Sequence, residues 1–144
     1  VSRFVRAVAL GPELRVPMFE HGLCAGFPSP ADDFLEDAVD VARLLITNPP
    51  ATFLWRVDGD SMQDAGIFDR DILVVDRSLE PRDRDVVVAI VNGERSLKRL
   101  SLAGRPRLAF ANRRLPDFEA PELAEIELWG VVTWNLHRLR AVRP

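Results

Sequence analysis

The chain has a single cysteine, Cys24, and a single lysine, Lys98, among its 144 residues. One cysteine excludes an intramolecular disulfide and agrees with a reducing compartment. No apolar run approaches the roughly 18–20 residues that cross a bilayer. The opening "VSRFVRAVALGPELR" also lacks the apolar centre of a signal peptide, so a cytoplasmic protein with no membrane contact is expected. A net positive charge is lacking too. The formal net charge is −3, with a small basic tail in "HRLRAVRP", and no direct sequence-specific DNA binding is expected from that footprint. The two histidines, His21 and His137, lie far apart without ligand spacing. Internal repeats and low-complexity segments are absent.

Aspartate, by contrast, is crowded into "GDSMQDAGIFDRD", residues 59–71. A calcium loop of the EF-hand type beginning at Asp58 would need an oxygen ligand at its fifth position and glycine at its sixth, where Met62 and Gln63 stand. Neither a metal nor a cofactor is expected, and these aspartates read as turn formers and helix-end charges.

The length suits one domain with a real core plus appendages. Residues 1–30 contain Gly11, Pro12, Pro17, Gly22, Gly26, Pro28 and Pro30 and show no sustained period, which reads as an extended arm. Ser29-Pro30 followed by Asp32 and Asp33 is a helix-start pattern. Phe34, Leu35, Ala38, Val39, Ala42, Leu45 and Ile46 then predict a helix that breaks near Asp40 or runs to "NPP" at 48–50. From residue 51 the texture becomes β: "TFLWRVD", "ILVVD", "DVVVAIV", "ERSLKRL", "RLAFA" and "IELWGVVTWNLHRL". Asn92-Gly93 between the third and fourth runs is the favoured two-residue hairpin turn. Alternation there places Ser96, Lys98 and Leu100 on one strand face, with Leu97 on the other. The expected organisation is an arm over 1–30, a helical linker over 31–50 and a mostly β domain over 51–144.

Ser61 admits two readings. It is either the N-cap of a short helix, with Asp64 completing a Ser-x-x-Asp box, or a nucleophile. A nucleophilic role requires a base. Cys24 with His21 sits in an unscaffolded Pro/Gly stretch, and nothing nominates either histidine as partner to the serine. Lysine is the available base, since a buried lysine can lose its proton whereas an arginine cannot in practice. Nineteen basic residues include only one lysine, and Ser96 stands on the same face to hydrogen-bond its amine. The alternative for Lys98 is an exposed strand lysine.

Three stretches, "FLWRVDGDSMQDAGIFDRDILVVD", "DVVVAIVNGERSLKRL" and "WGVVTW", resemble the LexA/UmuD family of self-cleaving serine peptidases, over about Leu23 to Arg140. The resemblance implies a compact β domain with an extended N-terminal arm. It makes Ser61 the nucleophile and Lys98 the general base, with backbone N–H groups of Asp60 and Ser61 as the oxyanion hole. The family cuts its own chain at a small-residue bond. In "LCAGFPSPADDF" that bond is Ala25-Gly26. A repressor of this family needs a helix-turn-helix domain before the bond, and a signal peptidase with the same dyad needs a membrane anchor. Neither feature is legible here, so the UmuD-like type is expected. That type implies a homodimer, processed under stimulation by a RecA–single-stranded DNA filament, serving a Y-family, UmuC-like polymerase in error-prone translesion synthesis during the SOS response. The alternative is a non-catalytic β binding module with an inherited but idle dyad.

Overall fold

A computed structural model describes residues 10–19, 22–23, 35–120 and 124–141. The contacts divide the chain into two units, residues 1–49 and 50–144.

In the first unit β1 (Arg15–Phe19) pairs antiparallel with β2 (Leu35–Asp40), and the register slips between Val16 and Met18. Pro17 stands at that slip, where a residue without an N–H cannot serve the ladder. Here the structure corrects the sequence reading. The apolar stripe from Phe34 to Ile46, expected to lie on a helix begun at Ser29-Pro30, holds a strand from Leu35, followed by a short helix, α1 (Val41–Leu45), and a 3-10 turn at Pro49–Ala51. Pairing with β1 engages the backbone at Leu35, Glu36, Val39 and Asp40, a long-range partner that helical spacing cannot reveal. Asp40 ends the strand and starts the turn: its carboxylate accepts from the Ala42 N–H at 3.1 Å and pairs with Arg43.

The second unit holds β3 (Thr52–Arg56), β4 (Ile72–Asp76), β5 (Val86–Val91), β6 (Glu94–Ser101), β7 (Arg107–Ala109) and β8 (Ile126–Leu136). They form one antiparallel sheet in the order β3-β4-β8-β5-β6-β7. The β-rich body read from the sequence is therefore present. The β5–β6 hairpin turns on Asn92 (φ 50°) and Gly93 (φ 81°), the paired positive φ values of the expected type I′ turn.

The valine runs of β4 and β5 flank β8 and are buried on both faces, as continuous apolar strands require. One face carries Val57, Met62, Ile67, Leu73, Val75, Val88 and Ala111, and a smaller cluster joins Val87, Leu100 and Val131. Where β8 runs beside β4, Gly130 leaves no room for a side chain: a Cβ there would sit 2.7 Å from Cγ1 of the fully buried Val75. Gly130→Ala should therefore overpack the core and cost about 1–3 kcal/mol, read as a lower urea midpoint at unchanged m-value. An unchanged midpoint would show that β8 yields freely at this point.

Candidate active site

Ser61 lies in the turn after β3, and the loop around it is pinned from several sides. The Gly59 N–H donates to Asp69 Oδ1 at 2.7 Å. Val57 and the 70–71 segment exchange backbone bonds, Arg70 N–H to Val57 O and Val57 N–H to Asp71 O, each 2.8 Å. Met62, next to the serine, is 1% exposed and belongs to the larger core cluster. An apolar anchor beside a polar residue fixes where the latter points, which gives the Ser-Met pairing of the sequence a packing reason.

Segment 110–113 holds the same turn from the other side. The Ala111 N–H donates to Ser61 O at 2.9 Å, and the Asp64 N–H returns to Ala111 O at 2.6 Å. The Asn112 amide donates to Asp60 O at 2.8 Å, and the Asp64 carboxylate accepts from the Arg113 N–H at 2.7 Å.

This arrangement decides against the capping role for Ser61. The turn Gln63–Ala65 is 3-10 with Met62 at its N-cap and no side-chain cap bond, and Asp64 is used by Arg113. Among the described residues the Ser61 hydroxyl makes no hydrogen bond, and the backbone N–H groups of Asp60 and Ser61 have no acceptor. The aspartates do serve as turn formers. Asp71, buried at 3% exposure, accepts from the Phe68 N–H and Asn135 Nδ2 at 2.8 Å each and meets His137 Nδ1 at 2.5 Å. Burial raises its pKa, but these three partners outweigh it and hold the carboxyl below its ordinary value. His137, packed at a tilt against the Phe68 ring, thus ties the end of β8 to the serine loop.

Lys98 is on β6 and is 3% exposed, so it is not a surface strand lysine. Its Nζ donates to Ser96 Oγ at 2.8 Å and Leu97 O at 3.3 Å. Burial pushes the amine below its ordinary value of 10.5. Phe110 and Phe118 stand over Nζ, with ring centroids 4.5 and 4.7 Å away. Ser61 and Ser96 line one open groove of about 310 Å³, with Trp55, Val57, Leu73, Val88 and Leu97 as apolar walls and Arg95 over Trp55. Lys98 reaches that groove through its bond to Ser96; no hydrogen bond joins it to Ser61 among the described residues. Ala25 and Gly26 lie outside the described residues, as do Cys24 and His21.

Phe110, Ala111, Asn112 and Phe118 were not legible as site residues. "RLAFA" reads as one strand, but β7 ends at Ala109, and the next residues leave the sheet to brace the serine turn and cover the lysine.

The antiparallel β domain thus carries a serine on a braced turn and a buried lysine hydrogen-bonded to Ser96, which lines the same groove as that serine. Residues 17–133 match the family model described as Peptidase S24-like, and the chain belongs to that family. It is 42% identical over 127 residues to Protein ImpA of Escherichia coli, covering 88% of this chain and 87% of that one. It is 39% identical over 122 residues to Protein MucA of Escherichia coli, covering 84% of each. A LexA repressor of Acidithiobacillus ferrooxidans is 42% identical over 106 residues, 72% of this chain but 51% of the repressor.

Proposed function

We propose that this chain is a UmuD-like self-cleaving serine peptidase that cuts its own Ala25-Gly26 bond with Ser61 as nucleophile and Lys98 as general base. The observation that carries the reading is the chain's sole lysine, buried and hydrogen-bonded to Ser96 on the groove that Ser61 lines. A serine hydroxyl attacks only when its proton is taken, and desolvation supplies a free amine nearer to neutral pH than an exposed lysine could.

In the proposed sequence the neutral Lys98 amine accepts the Ser61 proton as Oγ bonds to the Ala25 carbonyl carbon. The Asp60 and Ser61 N–H groups, which have no acceptor among the described residues, receive the developing oxyanion. The Lys98 ammonium then gives its proton to the Gly26 nitrogen as the C–N bond breaks. Water, deprotonated by the same amine, hydrolyses the ester to leave a carboxylate on Ala25. Ser96 orients the amine. The 35 chain steps from Gly26 to Ser61 pose no problem of reach at about 3.3 Å per extended residue, so cutting within a chain and across a dimer are both open.

The homology to ImpA and MucA over most of the chain supports the UmuD-like role. In that role a RecA–single-stranded DNA filament stimulates cleavage in the cytoplasm, and the trimmed homodimer is the accessory subunit of a Y-family polymerase in SOS mutagenesis. Incubation with an activated recombinase filament should yield fragments 1–25 and 26–144 by intact mass. Gly26→Glu should block the cut, because a large charged side chain keeps the backbone from the serine. A product whose new N-terminus lies beyond Phe27 would overturn the assignment of the bond, and an intact chain would favour the idle binding module.

A further inference from the structure

We propose that Phe110 and Phe118 are positioning residues whose ring faces hold the Lys98 ammonium in its resting place against Ser96 and so brake the reaction at neutral pH. The inference rests on the reading of Lys98 as general base. The two rings pack edge to face with centroids 5.5 Å apart at 74°, so they form one wall. Nζ lies within cation–π range of both centroids, at 4.5 and 4.7 Å, while Ser96 Oγ and Leu97 O take its hydrogen bonds.

No carboxylate stands within ion-pair distance of Nζ among the described residues: Asp117 and Glu119 flank Phe118 in the chain, and Arg107 is on the adjoining β7, but none of them pairs with it. The amine therefore feels two opposed influences. Burial favours the neutral form, the one able to take a proton. The negative faces of two aromatic rings favour the ammonium. Two leucines in their place would exclude water comparably well but offer no such attraction. The aromatic choice thus sets the amine to be less available at neutral pH than burial alone would make it. Position adds to this, because Phe110 immediately precedes Ala111, whose N–H holds Ser61 O. A movement of segment 110–112 would shift the serine turn and the cover over the lysine together.

The sole lysine makes the test direct, since selective ¹⁵N,¹³C-lysine labelling gives one side-chain NMR signal. In a Ser61→Ala background, which cannot consume itself, Phe110→Leu and Phe118→Leu should each lower the Lys98 titration midpoint by about half to one pH unit. With Ser61 intact, each should raise the unassisted self-cleavage rate at pH 7.5 about 3- to 10-fold, in proportion to free base. Phe53→Leu, which removes a ring packed on Trp129 instead, should change neither quantity. If one variant loses its fold, as judged by amide dispersion, the other carries the test.

A midpoint that stays or rises in the folded variants would overturn the brake. A midpoint that falls without any gain in neutral-pH rate would leave the aromatic hold standing and overturn the reading of Lys98 as the base.

Discussion

Self-cleavage should fall by at least about 10³-fold when either Ser61 or Lys98 is replaced by alanine, and the double variant should be no worse than either single one. In the proposed mechanism each side chain is half of one proton-transfer unit, so losing the second half should remove nothing further. Lys98→Arg should fail equally, because arginine keeps the charge but does not deprotonate near neutral pH. The domain should survive these changes. The serine turn is braced by the backbone of Ala111 and the buried Met62 rather than by the serine hydroxyl. Lys98→Met goes further: it removes an amine whose charged form is disfavoured by burial and should raise the urea midpoint while abolishing cleavage, a stability gain at the expense of activity. Intact-mass time courses and urea melts on the same preparations check both halves. Wild-type cleavage by Lys98→Arg would show that another group is the base.

The second large effect is on pH. Burial lowers the Lys98 pKa from 10.5, so in the folded protein the amine is still mainly an ammonium at pH values well below its depressed midpoint. There the free-base fraction rises about tenfold per pH unit, and the unassisted cleavage rate should rise with it and level off below 10.5. Folding stability moves in the same direction. Between the lowered folded pKa and the ordinary value of the unfolded chain, the unfolded state binds more protons, so stability rises with pH across that window and is flat below it. A recombinase filament that favours a cleavage-ready conformer should raise the neutral-pH rate without shifting the midpoint upward. A wild-type rate flat from about pH 7 to 10 would contradict a lysine base, and filament-driven cleavage of Ser61→Ala would place the protease outside this chain.

Much of the β body was legible because its signals are local. The short apolar and β-branched runs, "ILVVD" among them, coincide with strands, and Asn92-Gly93 turns the hairpin that carries Lys98. Residues 34–46 were not legible in the same way. Their apolar spacing fits a helix, yet the backbone of 35–40 is claimed by a strand twenty residues away. The aspartate-rich loop was legible as turn chemistry but not in its assignments: Asp69 to Gly59, Asp64 to Arg113, and Asp71 to His137 some 66 positions on.

By itself the sequence determined which atoms could do chemistry: one lysine among eighteen arginines, a serine in a Gly-Asp-Ser-Met turn, and no paired histidine or second cysteine to compete with them. Side-chain reactivity is a property of residue type, and type is fully written in the chain. Only the tertiary structure decided that Lys98 is buried, that Ser96 holds its amine, that Phe110 and Phe118 cover it, and that Ser61 is left free of the cap its neighbours suggested. Those outcomes depend on desolvation and on contacts between strands and loops far apart in sequence, and neither a propensity nor a period carries that information.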